Sequence, residues 1–377
     1  MNVLVTGGAG FIGSHTVDRL MARDHEVTVL DNLDPQVHGD GGKTPANLQP
    51  HLSSESFQFI HGDVRDRDTV AKALRGIDAV VHLAAAVGVG QSMYKPSYYT
   101  DVNVAGQGRL LEEMVGDARR YRRLVVASSM SIYGEGAYRC EQHGEVAPPP
   151  RVEAQLAGGE WELLCSSCGD TLQRALTKEE KALQSTSIYA VTKKTQEELA
   201  LCFGRAYRIP TIALRFFNVY GSRQALSNPY TGVAAIFLSR LKNGKAPLVF
   251  EDGKQSRDFI HVGDVARAVV QAVEGEEAVW DAYNVCTGNP VTISQVATAL
   301  AGRLGLETQP LLVGKYRAGD IRHCVGDPGR ARQVLRFEAT TTFEAGLDEL
   351  IAWSERQRPV DRVEASLAEL EKQGLVR

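Results

Sequence analysis

Apolar and polar residues alternate in blocks along this chain. Short runs rich in Val, Ile or Leu at 3–6, 26–30, 57–61, 79–83 and 124–128 are each followed by a stretch with helical spacing. Runs that are apolar on both faces suit strands buried between two layers of helix. The alternation therefore predicts a Rossmann-type, doubly wound α/β parallel sheet. Past Arg215 the rhythm loosens into short strand-like pieces, Gly/Pro turns and a few helices, as expected of a smaller C-terminal α/β lobe. This reading gives a first domain over 1–218, with 257–283 returning to it, and a second lobe over 219–377. The segment 138–182 is polar and carries Pro148-Pro149-Pro150, so it reads as an insertion. Val363–Lys372 reads as a terminal surface helix.

Composition narrows the class. A chain of 377 residues suits two unequal lobes. Hydrophobic residues at 43% and charged residues at 23% are ordinary for a globular protein in water. A net charge of -4 argues against a nucleic-acid partner. No apolar run approaches the ~20 residues that span a bilayer, so no membrane partner is expected. The first strand starts at once and leaves no room for a leader, so the expected location is cytoplasmic. Six cysteines are too few for a disulfide framework in a chain of this size.

The first strand runs into Thr6-Gly7-Gly8-Ala9-Gly10-Phe11-Ile12-Gly13. Gly7 permits a tight turn, Gly10 lets the backbone approach a pyrophosphate, and Gly13 lets the helix pack on the sheet. The helix N-terminus then offers N–H groups to the phosphates. Such a turn is also what any loop needing a positive φ uses, but a strand before and a helix after favour the dinucleotide reading. The second strand ends in Asp31, where a carboxylate can bind ribose hydroxyls and would repel a 2′-phosphate; NAD is favoured over NADP. Candidate cofactor contacts are Gly7, Gly10, Phe11, Ile12, Gly13, Asp31, Asn32, Asp63, Val64, Leu83, Ala84, Ala85, Asn103 and Phe216, together with Tyr189 and Lys193. Tyr189 and Lys193 lie one helical turn apart and face the same way. A lysine ammonium beside a phenol favours the phenolate, which can act as a general base toward a sugar hydroxyl. Ser129, at a strand end, completes the group.

These motifs resemble the short-chain dehydrogenases/reductases in their extended, nucleotide-sugar branch. The resemblance is carried by the loop at 6–13, Ser128-Ser129 with Tyr133-Gly134, and Tyr189/Lys193. It continues through 214–221 (LRFFNVYG), Arg257-Asp258-Phe259 and Arg317-Ala318-Gly319-Asp320. It implies that Ser129 hydrogen-bonds the reacting oxygen, Tyr189 shuttles its proton and Lys193 holds the nicotinamide ribose. It further implies that Asn218, Arg257 and Arg317 hold the substrate's diphosphate, that Ser129 and Asp320 also bind substrate, and that the protein is a homodimer through helices near 103–114 and 189–202. The sugar 4,6-dehydratases of this branch carry an Asp-Glu pair after the active-site hydroxyl; here Met130 and Ser131 stand there and cannot eliminate water. The resemblance then points to 4-epimerisation with bound NAD. The insertion and the stretch 227–233 are most similar to the dTDP-L-rhamnose 4-epimerase subgroup, which makes dTDP-6-deoxy-L-talose. UDP-glucose, UDP-galactose or UDP-glucuronate 4-epimerases, a net 4-keto-sugar oxidoreductase and a non-catalytic NAD-binding scaffold are the alternatives; an intact Ser129, Tyr189 and Lys193 speaks against the last.

Ser129 and Tyr189 are sixty residues apart, far more than the resemblance implies. The extra segment holds Cys140-x-x-His143 and Cys165-x-x-Cys168, a zinc-ribbon-like set of four ligands suited to a closed structural zinc site. The alternative is a reduced, metal-free loop. Cys202, Cys286 and Cys324 are expected to be buried and inert.

Overall fold

In the computed structural model, residues 1–39, 44–276, 279–317 and 319–377 are described. Seven strands lie parallel in one sheet: β1 (Asn2–Thr6), β2 (Glu26–Asp31), β3 (Phe57–His61), β4 (Ala79–His82), β5 (Arg123–Ser129), β6 (Thr211–Phe216) and β7 (Asp281–Val285). Their order is β3-β2-β1-β4-β5-β6-β7. The winding reverses direction beside β1, which opens a crevice at the carboxyl ends of β1 and β4.

Both faces of the sheet are covered. Val17 and Leu20 of the helix Phe11–Met21 pack with Val265 and Val269 of the helix Val262–Glu274 on one side. On the other, Leu110 and Met114 meet Ala200 and Ile209. The five apolar runs read from the sequence are β1 to β5, each within one residue at either end. Polar residues break the pattern in the last two strands along the chain, β6 and β7. Arg215 interrupts β6 and forms a buried, bidentate pair with Glu197 at 2.6 and 3.0 Å. Asn284 interrupts β7 and is fully buried, its amide donating to the Thr177 carbonyl.

A second, smaller sheet pairs Ser256–His261 with Asn218–Tyr220, Pro290–Thr292 and His323–Cys324. Helices Val233–Lys242, Ile293–Arg303 and Phe343–Ser354 close a separate core beside it around Leu238, Phe259, Val296 and Leu347. The insertion forms a three-stranded sheet of its own, Gly144–Val146, Ala137–Cys140 and Gln173–Ala175, over a small core of Tyr138, Leu163 and Leu172.

The last helix departs from expectation. Val363–Lys372 buries Leu370, whose side chain lies over Gly90. Val363, Ser366, Leu367 and Leu370 follow helical spacing, and all four line the main cavity. Among the described residues no helix is long and apolar enough to cross a membrane.

Candidate active site

One cavity of about 630 Å³ runs from the carboxyl ends of the central strands to the small lobe. Its first end is the glycine-rich loop. Gly7 has φ +71°, and a Cβ there would lie 2.8 Å from the Ala84 nitrogen. A Cβ on Gly13 would lie 2.1 Å from the Gly7 carbonyl oxygen, so only glycine allows the helix to sit this close. At Gly10 an added Cβ meets only the Gly7 oxygen, at 3.3 Å. No side chain caps the helix that follows, which leaves the amides about Phe11 and Ile12 to the cavity.

Asp31 sits at the end of β2 and also lines the cavity. Its Oδ2 accepts from the Ala9 amide at 3.0 Å and its Oδ1 from the Leu33 amide at 2.9 Å. The first of these bonds ties it to the glycine-rich loop. Asn32 donates to Asp63 at 2.9 Å. Burial raises the Asp63 carboxyl, but hydrogen bonds from Arg65 and Asn32 win and hold it down at about 2. Val64, Leu83, Ala84, Ala85 and Phe216 join these residues on the wall. Asn103 does not. It is fully buried behind the wall, exchanging hydrogen bonds with the Ala86 backbone at 2.7 and 3.1 Å and donating to Thr192. Its short amide holds the loop after β4 in place.

Ser129, Tyr189 and Lys193 meet on the wall midway. Ser129 ends β5, and its Oγ accepts from the Ser131 hydroxyl at 2.9 Å and stands near enough to Tyr189 to act on its phenol. The helix Ile188–Tyr207, capped by the Ser187 hydroxyl, carries Tyr189 and Lys193 on one face. Burial pushes the Tyr189 phenol up, and the Ser129 hydroxyl opposes that. Burial also lowers Lys193 to about 7. The Lys193 ammonium makes no hydrogen bond to the phenol and instead donates to Gln196 Oε1 at 2.8 Å. Gln196 Nε2 then lies 3.2 Å from His82 Nε2, and His82 Nδ1 lies 2.8 Å from the Thr6 hydroxyl. Burial, then the Lys193 charge, depresses His82 to about 3, so it is neutral; accepting from Gln196 puts its proton on Nδ1. Sequence reasoning missed this buried line, because His82 and Gln196 carry no spacing signal and meet only in the fold.

The far end holds Asn218, Arg257, Arg317 and Asp320. Asn218 Oδ1 is buried without a partner. Arg257 donates to Asp320 at 3.2 Å and to the Ile321 carbonyl at 2.7 Å. The Arg317 guanidinium lies over the Phe250 ring, 4.3 Å from its centre. Met130 and Ser131 line the cavity after Ser129. Unforeseen wall residues include Val87, Val89, Tyr230 and Leu370; for Leu370 the apolar spacing of the last helix was the one available signal.

In the insertion, Cys140, His143, Cys165 and Cys168 bring their ligand atoms within 4.8 Å of one another. Cys140 Sγ is 3.6 Å from Cys168 Sγ and 3.4 Å from His143 Nδ1; Cys165 Sγ is 3.6 Å from the same nitrogen. A disulfide would need about 2.05 Å. The observed gaps match the edges of a tetrahedron with bonds of about 2.3 Å, which are about 3.7 Å. The turn at Cys165–Gly169, with Gly169 at φ +78°, presents both sulfurs inward. Cys286 and Cys324 are buried as expected, whereas Cys202 is exposed on its helix.

The chain is similar to known proteins over most of its length. The chain is 33% identical over 355 residues to a dTDP-L-rhamnose 4-epimerase of Burkholderia thailandensis, covering 93% of this chain and 94% of that one. It is 31% identical to a UDP-glucose 4-epimerase of Mycolicibacterium smegmatis, covering 92% and 96%. Among solved structures, a Thermus thermophilus UDP-glucose 4-epimerase in complex with NAD superposes with TM-score 0.73 at 30% identity, covering 95% of this chain and 100% of that one. A dTDP-glucose 4,6-dehydratase of Streptomyces venezuelae superposes with TM-score 0.77 at 26% identity, covering 95% and 98%. Residues 3–153 and 163–286 match the pattern of one family. With most of its length matched in this way, the chain belongs to the NAD dependent epimerase/dehydratase family.

Proposed function

We propose that the protein is a nucleotide-sugar 4-epimerase acting by transient C4 oxidation with bound NAD, converting dTDP-L-rhamnose to dTDP-6-deoxy-L-talose. The reading rests on one observation: Ser129, Tyr189 and Lys193 lie in a single cavity between a glycine-rich helix N-terminus and a set of diphosphate-type ligands. The residues fit NAD. A side chain at Gly7 or Gly13 would strike the backbone that shapes the cradle, at Ala84 and at Gly7 respectively, and Asp31 lies where ribose hydroxyls would bind. When bound, NAD would supply the acceptor and then the donor for the C4 hydride. The protein's part is to hold and move one proton. Ser129 orients the sugar hydroxyl, Tyr189 removes its proton and later gives it back, and Lys193 binds the ribose and favours the phenolate. Asn218, Arg257 and Arg317 hold the diphosphate, since guanidinium forks suit phosphate oxygens. Met130 and Ser131 offer no acid and base for dehydration.

The choice of sugar draws on the Burkholderia relative and on 227–233, of which Asn228 to Val233 line the cavity. Purified enzyme is incubated with dTDP-L-rhamnose, and in parallel with UDP-glucose, UDP-galactose and UDP-glucuronate, and the sugars are identified by NMR. Inversion at C4 of the rhamnose without added NAD supports the reading. Turnover of a UDP-sugar alone rejects the substrate, and accumulation of NADH rejects epimerisation.

The same proposal places a structural zinc ion on Cys140, His143, Cys165 and Cys168. All four positions are then taken by protein, which leaves no open site for chemistry. Metal analysis of protein purified without chelator tests this; near-zero zinc in folded protein rejects it. A cytoplasmic setting, which keeps thiols reduced, suits these ligands. We also propose a homodimer through the helices near 103–114 and 189–202, on the second of which Val191 and Leu199 are exposed. A monomer mass by light scattering rejects that.

A further inference from the structure

We infer that the insertion is a brace for the diphosphate end of the cavity, with Arg151 and Glu162 as its positioning residues. Its tie to the zinc reading concerns only what holds the insertion itself together. Trp161 and Glu162 fall between the two stretches that match the family, so the family pattern does not account for them.

Two arms leave the insertion. Arg151 is buried and donates to the Asp320 carbonyl at 3.1 Å, to the Trp161 carbonyl at 3.2 Å and to Glu251 at 2.9 Å. It thereby grips the backbone of Asp320, the residue whose carboxylate holds Arg257. Glu162 grips Arg322 and His323. One oxygen accepts from Arg322 Nε at 3.0 Å, and the other lies 3.2 Å from His323 Nε2. His323 Nδ1 in turn lies 2.8 Å from the Ser256 hydroxyl, adjacent to Arg257. The line Glu162–His323–Ser256 has the order of a hydrolytic triad. Ser256 is fully buried, however, so no substrate reaches it and the line acts as a strut.

Arg322 fixes the far side. It is fully buried and also donates to Glu251 at 2.9 Å and Asp252 at 2.7 Å. Arg257 Nη1 donates to the Arg322 carbonyl at 3.0 Å. The guanidinium of Arg257 is thus aimed by Asp320, Ile321 and Arg322, a run held at both ends by the insertion. A metal that ties Cys140 and His143 to Cys165 and Cys168 closes the loop between the insertion's first strand and the turn beyond Glu162. The phosphate-facing arginine is therefore pre-oriented before substrate arrives, which lowers the cost of binding.

The test uses the holoenzyme and two variants, Glu162→Gln and Cys165→Ser. Calorimetry measures the affinity for dTDP and for UDP, and NAD and zinc per chain are measured alongside. Both variants are expected to bind dTDP about tenfold more weakly while keeping NAD, with KM for nucleotide-sugar raised and kcat nearly unchanged. Glu162→Asp should recover most of the loss. If Glu162→Gln binds both nucleotides as tightly as wild type, the brace is overturned even where zinc is present. If the wild type holds no metal, the zinc reading falls, and Glu162→Gln still decides the brace. If Cys165→Ser also loses NAD, its fold is lost, and Glu162→Gln decides alone.

Discussion

Gly13→Ala should empty the cofactor site while leaving the sheet folded. The added Cβ would stand 2.1 Å from the Gly7 carbonyl oxygen and 2.7 Å from Gly8 Cα. Carbon and oxygen normally stay about 3.3 Å or more apart, so helix and loop must separate by about 1 Å. The loop has no room to retreat. Behind Gly7 the Ala84 backbone stands 2.8 Å from the Cβ position, and behind Gly8 the Val29 methyls do the same. Overpacking of this kind costs about 1–3 kcal/mol in stability. A shift of that size also misaims the helix amides. Hydrogen bonds to a charged group contribute about 1.5–3 kcal/mol each, so losing two weakens NAD by roughly 10²- to 10⁴-fold. The assay is NAD released from purified protein on acid denaturation, together with a calorimetric titration of the stripped protein. Wild-type NAD content in the Gly13→Ala variant would refute the loop's role as the pyrophosphate cradle.

Tyr189→Phe should lower turnover by about 10²- to 10⁴-fold, the usual worth of a positioned acid–base, and leave bound NAD intact; near wild-type turnover removes Tyr189 from that role. Lys193 titrates at about 7 rather than near 10.5 because of burial, so its charged form costs stability below pH 7. Between those values the unfolded chain binds more protons, so stability rises with pH, by up to about 4–5 kcal/mol from this group. Lys193→Met should flatten that rise in denaturant midpoints measured from pH 7 to pH 9 on NAD-free protein. Glu197→Gln strands the buried Arg215 and should cost about 3–5 kcal/mol, read from urea unfolding; a loss below about 1 kcal/mol would match an exposed pair instead.

The sequence carried the inner sheet well, because strands buried on both faces must be apolar throughout. The runs that became the central strands β1, β4 and β5 come closest to that condition, while the edge strand β3 mixes Phe57 and Phe59 with polar Gln58 and His61. β6 and β7 depart from it too, since Arg215 and Asn284 use buried polar side chains to tie the sheet to Glu197, Tyr133 and Thr177. Local patterns also carried the glycine-rich loop, Asp31 and the Tyr189/Lys193 turn, whose residues are near neighbours along the chain or stand at fixed offsets. What local patterns could not carry are contacts made by distant segments. The Thr6–His82–Gln196–Lys193 line is one. Asn103 is another, as it supports the cavity wall from behind. The last helix is a third. Its apolar face looked like that of a surface helix, yet Leu370 needed Gly90, far away in sequence, to become part of the cavity.

The insertion enters and leaves through adjacent strands, with Ala137 paired to Ala175. The two ends of this long excursion are therefore neighbours in space. A gene can lengthen between Ser129 and Tyr189 at such a doorway without pulling either residue from its place. The doorway makes the segment a cassette. It could be exchanged for a short turn joining residues 136 and 176, separating in one chimera what the underlying scaffold does from what the cassette adds.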